Sequence, residues 1–282
     1  MTTTETTARD TWRHELAELL DLDPATLTDH ADLTGELGLD SMAMMTLSGW
    51  LTTKGISATG LRSVGDVLAL LEQPHWFSVV VTDGEAGPTA TAGLLPAPRR
   101  TTLAPVLGNG DYRLTPITEQ DMDFLYLLAT HPETGYRWRY RGSPPPPQEF
   151  ATDLWGQVLV QYVARVAGTG EPAGHVVAYG ADLAHGHAFV AALFKPEHAG
   201  SGRAAEITAV FVRYLFHTFR LHKLYLEVPG FNWPQVESGA GRHFQVEGVL
   251  RDHDFYAGRY WDKYLCAIYP EDVTSFPGGR GS

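Results

Sequence analysis

Two short stretches of this chain place reactive or phosphate-seeking groups at helix starts. In Leu37-Gly38-Leu39-Asp40-Ser41-Met42, a serine follows an aspartate where a polar loop gives way to the apolar run Met42, Met44, Met45, Leu47, Trp50 and Leu51. That order puts Ser41 in a first helical turn, hydroxyl exposed, at the positive end of the helix dipole, where a phosphodiester is well placed. Asp and Ser are also ordinary helix caps, and the residues alone leave that reading open. The second stretch, Pro196-Glu197-His198-Ala199-Gly200-Ser201-Gly202-Arg203-Ala204-Ala205-Glu206, joins a strand to a helix. Its two glycines let the backbone fold closely, so that N–H groups at the helix start face phosphate oxygens, and Arg203 adds a charge-assisted contact. A bare Gly-x-Gly also serves as a plain tight turn.

The elements that must position these groups read from periodicity. Trp12, Leu16, Leu19 and Leu20 form one apolar stripe, predicting a helix from about Arg9 to Leu20. A loop rich in Thr and Asp leads to a second helix from Ser41 to about Thr53, a short third turn near Leu61 to Val64, and a last helix from Val67 to Glu72. Trp76 to Val81 is an apolar patch, and Asp83 to Gly110 is Gly, Pro, Ala and Thr, which reads as a linker. Beyond it come a strand at Tyr112-Arg113-Leu114, a helix capped by Thr118, and a hairpin of Leu159–Val166 with Gly174–Tyr179. A strand His187–Phe194 precedes the glycine loop, and a long helix with Ile207, Val210, Phe211, Tyr214 and Leu215 follows it. A strand Lys223–Val228, a segment led by Asn232, and two strands near Val249–Tyr256 and Arg259–Ile268 complete the pattern.

Composition narrows the function classes. Of the net charge of -12, the first 75 residues carry twelve acidic against four basic side chains. So acidic a segment argues against nucleic acid and suits partners with basic patches. Apolar residues make up 44%, enough for a core, yet no run approaches the roughly twenty that a spanning helix needs. One cysteine leaves no intrachain disulfide, and the Thr-rich start lacks an apolar signal core, so the expectation is a cytoplasmic chain off the membrane.

Gly-Leu-Asp-Ser-Met within an acidic, four-helix-sized segment resembles the phosphopantetheine attachment site of acyl and peptidyl carrier proteins. The resemblance implies 4'-phosphopantetheine on Ser41, with Asp40 and Met42 beside it for carrier recognition. It also implies two partners, a phosphopantetheinyl transferase and a loading ligase or adenylation enzyme. From about 111 to 270, the glycine loop, His222-Lys223-Leu224-Tyr225-Leu226-Glu227-Val228, Phe231-Asn232, Phe244–Arg251 and Gly258-Arg259-Tyr260-Trp261-Asp262 follow an order that resembles the GNAT N-acyltransferases, the ribosomal-protein-acetylating branch in particular. In that family the loop matching Gly200, Ser201, Gly202, Arg203 and Ala204 holds the diphosphate of coenzyme A. The pantetheine arm lies between two splayed strands, here His187–Phe194 and Lys223–Val228, close to the asparagine matching Asn232. The tyrosine that relatives carry seven residues later to protonate the leaving thiolate falls at Gly239, and His243 replaces a glycine; Glu197 stands where Gln or Arg is usual.

The expected fold is therefore α+β in two domains. A four-helix carrier bundle (1–75) is followed by a linker (76–110), a GNAT mixed α/β domain with a splayed sheet (111–270) and a tail (271–282). For a general base the candidates are Glu227 and His185 or His187; the same residues also read as a solvated strand carboxylate and turn histidines. His185-Gly186-His187 has no further ligands at metal spacing, so no metal is expected. Cys266 reads as core, and the cluster of Tyr136, Trp138, Tyr140 and arginines 137, 139 and 141 as a substrate mouth, a carrier-receiving surface or a plain loop. The reaction implied is attack of an amine on a thioester, in a specialised-metabolite setting. The retained glycine loop, which a carrier's single phosphate would not fill, favours CoA donating an acyl group, acetyl first, to an amine tethered on Ser41; the alternative is that the carrier presents the acyl group to a free amine. A non-catalytic module binding the carrier's cargo is the third reading.

Overall fold

The structure, a computed structural model, describes residues 8–54, 56, 60–72, 107–132, 134, 140, 142–198, 200 and 202–275. The patch at Trp76–Val81, the expected linker up to residue 106, residues 136–139 and 141 of the aromatic and basic cluster, Ser201 and the last seven residues lie outside them.

In the N-terminal unit, α1 (Ala8–Leu20), α2 (Ser41–Thr53) and α3 (Val64–Glu72) pack around Leu16, Leu27, Leu33, Leu47, Leu51, Val67 and Leu68. Asp29 pins the long first loop to α1 by accepting from Arg9 at 2.8 Å and Arg13 at 2.7 Å, and Arg13 Nε also donates to the Leu27 carbonyl. Those two guanidinium hydrogen bonds hold the Asp29 carboxyl below the usual carboxylate range. The expected four helices are corrected here: the described residues of this unit form three α-helices and a 3₁₀ turn at Pro24–Thr26. No separate turn forms near Leu61. Ser63 and Asp66 instead make a capping box, Asp66 Oδ2 accepting from the Ser63 N–H at 2.9 Å and Ser63 Oγ from the Asp66 N–H at 3.2 Å. That box starts α3 at Val64, three residues before its first expected position.

The C-terminal unit is a seven-stranded sheet in the order β1-β2-β3-β4-β5-β7-β6, with strands Tyr112–Thr115, Val158–Val166, Pro172–Asp182, His187–Phe194, Lys223–Pro229, Gln245–Tyr256 and Arg259–Ile268 as β1 to β7. Neighbours are antiparallel except β4 and β5. Helices α4 (Met122–Thr130) and α5 (Pro147–Asp153) cover one face through Leu125, Phe150 and Val163. Helix α6 (Arg203–Thr218) covers the other through Ile207, Val210, Phe211 and Leu215, packed on Val176, Val190, Leu224 and Cys266; Val273 and Leu107 join this core. The alternation of Val163 and Ala164 between the two clusters is the two-residue period of a strand buried on both sides.

Strands β4 and β5 pair only over His187–Phe189 with Lys223–Tyr225, and beyond that they part. The parting leaves Ala192 exposed in the middle of a strand whose neighbours in sequence are largely covered. No described helix is long and apolar enough to cross a membrane, and no described group of His, Cys, Asp or Glu is arranged to hold a metal ion.

Candidate active site at the seat of helix α2

Helix α2 is apolar on two sides, and each side has a different partner. Ala43, Met44, Leu47 and Leu51 fill the core of the N-terminal unit, whereas Met42 and Met45 belong to the core of the C-terminal unit. A helix apolar around most of its circumference is one that is buried on both sides. Asp40 caps α2 and reaches across at once. Its Oδ1 accepts from the N–H groups of Met42 (3.0 Å) and Ala43 (2.8 Å), while Ser238 donates its N–H to Oδ2 at 3.0 Å and its Oγ–H to Oδ1 at 2.5 Å. Ser41, the next residue, is half-buried beside this clasp.

The seat consists of the residues from which the sequence predicted a phosphate cradle and a missing acid. Gly202 takes φ +78 and lies under α2: a Cβ there would stand 2.7 Å from the Met45 nitrogen and 2.9 Å from the Met44 carbonyl carbon. Gly200 has φ +79 but nothing within 4 Å. After Asn232, where Pro234 and two glycines disfavour a helix, the chain makes 3₁₀ turns at Trp233–Gln235 and Glu237–Gly239. A Cβ at Gly239 would meet Phe244 Cε1 at 2.7 Å and Met42 Cε at 3.1 Å, so the side chain of Met42 fills the space there. His243, almost fully buried, sets Nε2 3.3 Å from Thr46 Oγ1 of α2; burial first, then Arg242, pulls its pKa down to about 4. In the first turn of α6, Glu206 accepts from Asn109 Nδ2 at 3.3 Å near Ser48 of α2, and burial pushes its carboxyl up.

Phosphopantetheine on Ser41 and CoA in the cleft are the groups the resemblance implies, and the residues answer differently to each. Asn232 Oδ1 is buried and makes no hydrogen bond among the described residues, at the mouth of the parted strands. Buried carbonyl oxygens are nearly always paired, and an amide N–H of a pantetheine arm is a fitting donor. The splay itself frees strand backbone for the same arm. A diphosphate at the start of α6 is less well served. With α2 seated, that helix start meets the backbone of Met44 and Met45, Arg203 is turned to Asp111 at 3.7 Å, and Glu206 adds a carboxyl.

Of the three expected base candidates, His185 lies exposed in the turn before β4 with Nδ1 2.9 Å from Asp182, and His187 and Glu227 share one face of the sheet, opposite α6. His187 lies at the closed end of the cleft, its ring 5.8 Å from Tyr225 and its Nδ1 buried without a hydrogen bond among the described residues. Glu227 lies past the splay, half exposed, 3.9 Å from Lys263 Nζ, which in turn is 3.4 Å from the buried Asp254. Cys266 is buried core, its thiol pushed up to about 11 by burial, so it is no nucleophile. Sequence reasoning singled out Gly239 and His243 as departures but missed Thr46, Ser48, Ser238 and Glu206, whose common feature is a place at the junction of α2 with the other unit.

A family model described as a phosphopantetheine attachment site matches residues 13–60, and one described as an acetyltransferase (GNAT) domain matches residues 112–236. Among solved structures, the spermidine N-acetyltransferase from Vibrio cholerae in complex with CoA and spermine is similar over 58% of this chain and 99% of its own, at 23% identity and TM-score 0.51. A chimera of the Vibrio cholerae enzyme with hSSAT aligns at 22% identity and TM-score 0.50, over 58% of this chain and 98% of its own. At such identities the likeness is one of fold. No curated protein matches the chain.

Proposed function

We propose that this chain, in which a phosphopantetheine carrier domain is joined to a GNAT acetyltransferase domain, is an N-acyltransferase whose thioester arrives on the arm of its own Ser41 and whose acceptor is a free small-molecule amine. The observation that carries the direction is the seat of α2. The helix bearing Ser41 lies on Gly202 and Gly239, which in the family pattern belong to the diphosphate loop and to the acid beside the leaving thiolate. When attached, the arm supplies a thioester carbonyl that an amine attacks, a C–N bond forming as the C–S bond breaks and the thiol staying on Ser41. Asn232 and the β5-facing edge of β4 beyond Phe189 hold such an arm in register. Glu227 accepts the amine's proton, directly or through water, and His187 lines the closed end.

Gly239 offers no acid, yet a thiol of pKa near 8.5 makes a tolerable leaving group at neutral pH. The tether raises the encounter to an effective concentration on the order of mM, offsetting part of that loss. Such a chain needs a phosphopantetheinyl transferase and a loading ligase or adenylation enzyme, and suits a cytoplasmic, specialised-metabolite pathway. The Vibrio cholerae neighbour, solved with spermine, makes polyamines the first acceptors to try.

The reverse direction, CoA donating to an amine tethered on Ser41, draws support from the open surroundings of Gly200 but requires α2 to leave its seat. One experiment separates the two. The chain is acetylated on its arm by a broad phosphopantetheinyl transferase with acetyl-CoA, purified, and offered an amine panel, with Ser41→Ala as the unmodified control. Loss of the acetyl mass from the intact chain, together with amide product, supports the proposal. An acyl group that persists with every amine, while acetyl-CoA acylates an amine-loaded chain, replaces it with the reverse reading.

A further inference from the structure

We infer that the acyltransferase domain is built to take its thioester from a carrier in place of CoA, with Gly202 and Gly239 as the specificity-determining residues and the α2 of its own carrier as the ligand they select. The inference rests on the reading of α2 as the helix that delivers the arm, and extends it to what the domain refuses.

Two glycines on the acyltransferase side set bare α-carbons against the same helix, Gly202 under its backbone and Gly239 between Phe244 of its own unit and Met42. At Gly202 the three atoms nearest an added methyl belong to Met44 or Met45; at Gly239 two of the three belong to Met42. Around them the polar groups pair across the junction: Asp40 with Ser238, and Thr46 with His243. Met42 and Met45 at i and i+3 present one flexible, polarizable face between these pairs. A surface that combines two side-chain-free recesses, two methionine knobs and two polar pairs is a complementary interface; its central apolar contacts and polar rim are the usual anatomy of one.

The position that relatives give to a tyrosine therefore has a use here, as the recess for Met42. The same seat disfavours the nucleotide half of CoA twice, by the α2 backbone over Gly202 and by the Glu206 carboxyl beside it. Free CoA binds only the fraction of molecules whose carrier has left, so its apparent dissociation constant is raised in inverse proportion to that fraction.

The test uses the full chain without its arm. Calorimetry with CoA is run on the unmodified protein and on Met45→Glu, which sets a charge in the apolar seat, and on Thr46→Ala with Ser238→Ala, a milder pair that keeps the carrier core intact. Folding of each variant is checked by its circular dichroism and by its capacity to be modified on Ser41. Both variants are expected to bind CoA about tenfold or more tightly than the unmodified chain. Equal CoA affinity in the unmodified chain and in either folded variant overturns the inference. Acyl transfer from the loaded arm to an amine is measured separately: its absence, with CoA binding still released by the variants, sinks the proposed direction of transfer and leaves the carrier-selective seat standing.

Discussion

Gly202→Ala and Gly200→Ala form a matched pair that isolates the seat of α2. Both glycines sit in the left-handed region, at φ +78 and +79, so each substitution carries a similar backbone strain of roughly 1–2 kcal/mol. They differ in what the new methyl meets. At 200 it meets nothing within 4 Å; at 202 it lies 2.7 Å from the Met45 nitrogen, in the backbone of a helix that cannot yield like a side-chain tip. Restoring ordinary contact at 3.4 Å moves α2 outward by about 0.7 Å, and a radial gap of that size forfeits a quarter to a half of each dispersion contact it opens. The clasp between Asp40 and Ser238 lengthens with it. Together these make the extra cost of the 202 variant about 2–3 kcal/mol, taken from the contacts that α2 makes with the C-terminal unit. Amide hydrogen exchange reads it directly: the Ser238 amide, which donates to Asp40 across the junction, should exchange faster in Gly202→Ala by a factor of about 30–150, and hardly differ from wild type in Gly200→Ala. Equal protection in the two variants would refute the reasoning.

Three further outcomes follow from the same geometry. His243 is held down to about 4 from its ordinary 6.5, so its contribution is fully present above pH 6.5 and is lost as pH falls toward 4; about 2 kcal/mol should be gone by about pH 5, seen as a lower urea midpoint than at neutral pH, with a flatter dependence in His243→Gln. Lys263→Ala removes the buried cation between Asp254 and Glu227 and should cost about 3–5 kcal/mol in chemical denaturation, a figure that a loss under about 1 kcal/mol would contradict. Glu227→Gln should lower the turnover of amine acylation by about 10²–10⁴-fold while leaving Ser41 modifiable, and an unchanged rate would remove it as the base.

Most elements of the fold were legible because each depends on near neighbours in sequence. The stripe Trp12, Leu16, Leu19, Leu20 marks α1, and the bounds of α2, β4 and β7 agree with the expectation to the residue. Helix α3 was misplaced at its start because a capping box outweighed the apolar pattern, Ser63 and Asp66 adding a turn ahead of Val67. The site was legible only in part. Gly202 was noticed for letting the backbone fold closely, but a bare α-carbon does not say what approaches it, and here the visitor is a helix of the other unit. Met42 and Met45 read as parts of one apolar run, since periodicity tells how a helix is covered and not by how many neighbours. Gly239 and His243 did stand out against the family pattern; each departure marks a place where α2 makes contact.

The clasp on Asp40 also bears on the order of events in the life of the chain. On the proposed reading, a phosphopantetheinyl transferase must grip the start of α2 to reach Ser41, and that start is held by Ser238 while Met42 beside it is sunk in the neighbouring unit. Maturation and docking thus compete for one helix. On that reading a newly made molecule would gain its arm only while α2 is off the seat, and a chain that docks more firmly would wait longer for it.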